Sequence, residues 1–370
     1  MEQDSSAVAA IPLRQQAICW FKRPQVWGFF VSVAIMAIIS IAFFAPDNFE
    51  GNSLRQHDMQ QGLANGHEVE AYHEATGEKP LWTNSLFGGM PTFQIAPSYP
   101  SNSLFSWLDS VYGLGLPAPS NLLFMMMAGF FILMYTMKVR WPLALLGAVA
   151  WGFSSYYIII IGAGHIWKFL ALTYIPPTIG GLVLAYRRNY LGGGAMMALF
   201  AMLQLNANHP QMSYYFSFVM AAMAIAYLIT AIRGKHLKQW AISTGVCIAA
   251  GLLAIGANLP SLYNTYEYSK ETKRNGSELT PKNLPEIQAS DAPKPTGGMP
   301  YGEIIGWSYG KSETFSLLIP NVKGGATARP EQGQMKLMGL DRLPSAQKYA
   351  GGQEQVVLSQ FPQYFNEGES

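Results

Sequence analysis

Long apolar segments leave a chain few options, because backbone polar groups that enter hydrocarbon must find their partners inside the protein. Residues 25–46, 119–138, 142–162, 169–186, 190–205, 212–232 and 239–257 are apolar runs of this kind. A helix needs roughly 20 apolar residues to cross the hydrocarbon layer, and most of the runs reach or approach that length. Segment 190–205 is the shortest, with positions 192–194 all glycine and a polar turn at 206–209. The pattern predicts an all-α polytopic membrane protein with about seven transmembrane helices. Composition agrees, since only 12% of residues are charged and 50% are hydrophobic.

Charge is distributed unevenly around these runs. Lys22 and Arg23, Lys138 and Arg140, Arg187 and Arg188, then Arg233, Lys235 and Lys238 cluster at alternate ends. The positive-inside rule assigns those ends to the cytoplasm. Residues 1–24 then read as a cytoplasmic tail, 25–46 as the first spanning helix and 47–118 as a large extracytoplasmic loop. Six further helices fall within 119–257, and 258–370 form a polar extracytoplasmic region. The first apolar run is long and lacks a small-residue cleavage site, so it is expected to remain as a helix. A net charge of +2, with no basic stripe outside the cytoplasmic loops, argues against a nucleic-acid partner. Cys19 and Cys247 lie in the tail and the seventh helix, so no disulfide framework is expected and both read as packing residues.

Within the first loop, 56–75 are polar and suit a helix apart from Gly62 and Gly66. Stretch 80–95 mixes Trp82, Phe87, Met90 and Phe93 with Gly and Pro, as an interfacial loop does. Residues 103–113 read as a short amphipathic helix on the membrane surface. Pro176-Pro177 predicts a kink in the fourth helix.

Opposite the basic ends, polar groups of another kind gather: Gln56, His57 and Asp58; His165 and Lys168; His209 and Gln211; Tyr263 and Glu267. A carboxylate such as Asp58 beside an aromatic-rich loop can serve as a general base, and equally as a helix cap. Lys168 departs from the positive-inside pattern, and His165 three residues earlier shares its helix face. A cation and an imidazole at a helix N-terminus suit a phosphate, whereas a lone Lys there also snorkels to headgroups. His209 and Gln211, in NANHPQMSYY, combine polar density at membrane depth with ordinary turn chemistry. Glu267 sits in an aromatic cluster and can orient a histidine or a sugar hydroxyl. His57, Asp58, His67, Glu70, His73 and Glu74 are close in sequence but match no tight metal signature. No metal ligand is assigned, although a divalent ion is left open as a cofactor.

The runs QHDMQQ, TGEKPLWTNSLFGGMPTFQI, FSSYYIIIIGAGHIWK, NANHPQMSYY, YNTYEYSKETKRNGSELT and WSYGKSETFSLLIPN resemble the YfhO-like family of bacterial membrane proteins, from about residue 50 to 325. That family is similar to the GT-C glycosyltransferases, which take a sugar from a polyprenyl-phosphate carrier at the outer face. The resemblance implies a GT-C-like core of about seven helices, amphipathic helices in the first loop, and Asp58 as catalytic base. It also implies a bacterial inner membrane, with the N-terminus cytoplasmic, and further helices beyond residue 370.

The expected reaction is inverting glycosyl transfer from a polyprenyl-phosphate-linked sugar to an envelope acceptor, with membrane lipid around it. His165, Lys168, His209 and Gln211 would bind the phosphate side. His57, Glu70 and Glu267 would orient the base or hold sugar hydroxyls. Trp82, Phe87 and Phe93 would cover the reacting groups, and the lipid tail would lie in a groove between helices, entered at Met125, Met126 and Met127 or at the kink of Pro176-Pro177. The alternatives are a lipid or polysaccharide transporter and a non-catalytic envelope-assembly scaffold. A transporter would spread polar groups through the bilayer depth, often in repeated halves. Here they collect at helix ends and no repeat is seen.

Overall fold

A computed structural model describes residues 24–50, 54, 56–95, 99, 102–272, 314–315 and 318–319. Cys19, the tail at 1–23 and residues 307–313 (WSYGKSE) lie outside the described residues. In chain order the elements are α1 (Pro24–Phe43), α2 (Ala45–Phe49), α3 (His57–Thr76), β1 (Trp82–Thr83), β2 (Met90–Pro91) and a 3-10 turn (Thr92–Gln94). There follow α4 (Asn102–Tyr112), α5 (Ser120–Thr136), α6 (Trp141–Gly152), α7 (Ser155–Ala163), α8 (Ile166–Thr173) and α9 (Ile175–Tyr186). The last are α10 (Tyr190–Asn206), α11 (Pro210–Arg233), α12 (Leu237–Ala257) and α13 (Leu259–Ser269).

The chain is predominantly helical, with several helices long and apolar enough to cross a membrane. Four qualify among the described residues: α1, the run Ile166–Tyr186, α11 and α12. The pair α6 and α7 makes a fifth if counted as one span, although it bends by 45° at its break. Gly152, Ser154 and Ser155 flank that break, and such residues interrupt the helical hydrogen-bond ladder at low cost. The apolar helix α5 and the helix α10 are each 17 residues long. The expected kink at Pro176-Pro177 takes the form of an interruption at Tyr174. Both prolines then fall in the first turn of α9, where a missing N–H leaves nothing unsatisfied.

Two compact units divide the chain. Of the described residues, one holds 24–50, 107–153 and 170–251; the other holds those within 54–106, 154–169 and 252–319.

In the first unit α5 is the central helix, packed against α1, α6 and α9. Its Leu123, Met125, Met126, Met127 and Phe131 are almost wholly buried. Unbranched methionines fill irregular space between helices, and here they are core rather than the border of an open lipid groove. α9 and α10 form a tight antiparallel hairpin. A Cβ at Gly181 would fall 2.5 Å from the backbone N of Met197, and one at Gly193 would meet the backbone of Ala185. Small residues at such a crossing let two membrane helices come within backbone contact. Cys247 is buried with Leu182, Ala185, Met197 and Ala250, as a packing residue.

The second unit is built on α3, whose Gly62 and Gly66 are tolerated in a 20-residue helix. β1 and β2 pair antiparallel as a short hairpin, held to α3 by one carboxylate. Glu68 Oε2 accepts from the Thr83 hydroxyl and from the backbone N–H groups of Asn84 (2.8 Å) and Ser85 (3.0 Å). These donors hold the Glu68 carboxyl below its ordinary range, the Thr83 hydroxyl contributing most. The helix α13 then joins the 92–99 strip: Gln94 Nε2 donates to Thr265 Oγ1 at 3.3 Å, and Phe93 meets Tyr268 edge-on with centroids 5.8 Å apart.

Candidate functional site

The first turn of α3 and the break between α7 and α8 form the candidate site, within the second unit. α7 ends on Gly164, whose φ of +85° is left-handed. Glycine takes that conformation without the steric cost a side chain would bring. The last carbonyls of a helix have no partner in their own helix. Here Ile161 O accepts the capping bond from the Gly164 N–H at 3.0 Å and a second hydrogen bond of 2.6 Å from Gln56 Nε2. A Cβ at Gly164 would lie 2.9 Å from Gln56 Cβ and 3.3 Å from Met59 N, so the two segments touch because position 164 has no side chain.

Gln56 is the N-cap of α3, which places Asp58 in the helix's first turn, where the dipole favours a carboxylate. The Gln56 contact brings Asp58 Oδ2 to 2.7 Å from His165 Nε2. An ionised carboxylate only accepts, so His165 Nε2 carries the hydrogen. The carboxylate is thereby oriented, and both side chains stay open to solvent at 48% and 45% exposure. Lys168 lies one turn along on α8, with Nζ 5.3 Å from the centre of the Tyr156 ring. Asp58 and His165 are thus in direct contact, and the imidazole expected on the phosphate side faces the carboxylate instead, with Lys168 three residues further along the chain.

Glu70 is twelve residues beyond Asp58 on α3, roughly 18 Å along the axis at 1.5 Å per residue. It lines a separate cleft that also includes His73 and Phe93. Glu267 forms an ion pair with Lys270 at 2.8 Å rather than with a histidine. His209 and Gln211 belong to the first unit, at the turn between α10 and α11, where Gln211 Nε2 donates to Tyr215 at 3.2 Å. The backbone of His57 opens α3, and its side chain is outside the described set. Trp82 and Phe87 are exposed, Phe87 at 91%, and the Trp82 indole lies over Gly89 rather than over Asp58. Among the described residues, no group of three or more His, Cys, Asp or Glu side chains is placed to hold a metal ion.

Sequence reasoning missed two features. Gln56 was visible as a polar neighbour of Asp58, but its role as a cap for a helix 105 residues away is a tertiary fact. In the first unit, Asp109 of α4 accepts a hydrogen bond from the Tyr174 hydroxyl. Burial pushes the Asp109 carboxyl above its ordinary range, with the Tyr174 hydrogen bond pulling the other way. Asp109 is the lone acid in SLFSWLDSVYG, and that isolation was the available signal. No protein-family model, curated protein or solved structure matches the chain.

Proposed function

We propose that the chain is a membrane glycosyltransferase of YfhO-like, GT-C type, using a polyprenyl-phosphate-linked sugar at the extracytoplasmic face of a bacterial inner membrane. In this reading all seven apolar segments cross the bilayer, α5 and α10 as short spans and α6 with α7 as a bent one. The basic clusters keep the N-terminus and alternate loops in the cytoplasm. The observation that carries the reading is the 2.7 Å contact between Asp58 and His165, on segments remote in sequence, with Lys168 one turn away.

In the reaction, an acceptor hydroxyl attacks the anomeric carbon as Asp58 takes its proton. The bond from that carbon to the phosphate oxygen breaks, and polyprenyl phosphate leaves with the electron pair. His165 holds Asp58 in orientation through Nε2–H, and Lys168 meets the charge that develops on the phosphate. His57 contributes to the sugar side.

The test is transfer from a radiolabelled polyprenyl-phosphate sugar to envelope acceptors in membranes containing the full chain. Asp58→Asn keeps the side chain's shape and is expected to lower transfer at least about 100-fold, as loss of a general base does. Normal transfer by a normally folded Asp58→Asn protein removes the assignment. Movement of the labelled lipid across the bilayer without a glycosylated product favours the transporter instead.

A further inference from the structure

The cleft that contains Glu70 has a composition of its own. Its volume is about 370 Å³, toward the lower end of small-molecule sites and ample for one or two sugar rings. The polar wall is Glu70, His73, Lys79 and Asn264, and the flat wall is Phe93 and Tyr99. Hydrogen bonds among its lining residues hold its shape. Thr92 Oγ1 donates to Pro80 O at 2.8 Å, and Asn264 Nδ2 donates to the Tyr99 oxygen at 3.1 Å.

Those bonds also decide what the polar wall offers. His73 Nδ1 lies 3.3 Å from Glu78 O, a carbonyl that can only accept, so Nδ1 carries a hydrogen, and in the neutral ring Nε2 accepts. Asn264 gives one amide N–H to Tyr99 and keeps its other N–H and its carbonyl oxygen. With the Glu70 carboxylate and the Lys79 ammonium, the wall holds both acceptors and donors, which suits hydroxyl groups, since each can donate and accept. Lys79 offsets the Glu70 charge, and among the described residues neither forms an ion pair, so the cleft is close to neutral.

We infer that this cleft is a binding site for a neutral polyhydroxylated ring, a monosaccharide or the end of a glycan. Its hydroxyls donate to Glu70, His73 and Asn264, Lys79 donates to a ring or hydroxyl oxygen, and the ring's C–H face lies on Phe93 and Tyr99. The assignment stands on the walls of the cleft and is independent of any reaction at Asp58.

Saturation-transfer difference NMR on the full chain in amphipol tests it, since a sugar-based detergent would itself compete. The probes are glucose, N-acetylglucosamine, glucuronate and inorganic phosphate. Glucose or N-acetylglucosamine gives a saturable signal, and its affinity falls about tenfold in Glu70→Ala and in Lys79→Ala. Both residues are exposed, so folding is retained. Glu74→Gln, the same loss of charge on α3 outside the cleft, leaves the signal unchanged. Three results would overturn the inference: no saturable sugar signal, a signal indifferent to Glu70→Ala and Lys79→Ala, or stronger binding of glucuronate or phosphate than of either neutral sugar.

Discussion

Replacing Gly164 by alanine isolates the contact on which the candidate site is built. The position has a φ of +85°, where a Cβ costs about 1–2 kcal/mol. The new methyl would lie 2.9 Å from Gln56 Cβ, closer than real Cβ contacts come, and Gln56 is not the loose end of a chain at that atom. Relief of the clash moves Gln56 away from Ile161 O and forfeits a hydrogen bond that contributes about 1 kcal/mol. The stiffer unfolded chain of an alanine variant returns about 0.5 kcal/mol. The net effect is about 2 kcal/mol on the joined arrangement, or about 30-fold in its population. Hydrogen–deuterium exchange read by mass spectrometry measures this directly. Peptides covering 56–62 and 160–166 are expected to exchange faster by about that factor in Gly164→Ala, with α5 peptides unchanged. Unaltered exchange in both site peptides would refute the packing argument and, with it, the claim that glycine sets the Asp58–His165 geometry.

Other consequences follow from contacts already described. Glu68 has a lowered pKa in the folded protein, so its hold on the hairpin is complete above its ordinary value of 4.5 and is lost as pH falls through the lower folded value. Tryptophan fluorescence should therefore show an acid transition below pH 4.5 that Glu68→Gln lacks, because the amide variant has already lost the charge. Glu267→Gln removes a half-exposed ion pair and should cost no more than about 0.5 kcal/mol in chemical denaturation, so a large loss would mean Glu267 has a role beyond Lys270. Gly193→Ala forces α9 and α10 apart and should destabilise the protein by about 1–3 kcal/mol, read as a lower thermal midpoint. Gly62→Ala, where a Cβ meets nothing, should raise that midpoint slightly.

The helices were legible because apolar runs and their polar ends are local properties of the chain. The helix at 56–75 and the amphipathic helix near 103–113 appear within a residue or so of their sequence limits. Segment 142–162 was harder, since Gly152 and Ser154 look harmless in an apolar run yet mark the break. The helix α13 was not foreseen: its YNTYEYS half is polar and aromatic, and its stability comes from packing on the 92–99 strip. In the candidate site, the residue types were readable and their pairings were not. His165 and Lys168 share a face by helical spacing, but nothing in GAGHIWKF says that the imidazole meets Asp58. Glu70 misled for the opposite reason, since nearness in sequence along a helix places it three turns away.

The enclosure of α5 has a consequence for the bilayer itself. At 17 residues the helix is roughly 25 Å long, shorter than the ~30 Å oily layer it would have to traverse. Thickness mismatch is felt only where a protein wall meets acyl chains, and α5 is wrapped by its neighbours along most of its length. In the proposed seven-span arrangement this short helix would therefore neither thin the surrounding lipid nor demand a tilt, and membranes of different thickness would be sensed through α1, α11 and α12 instead.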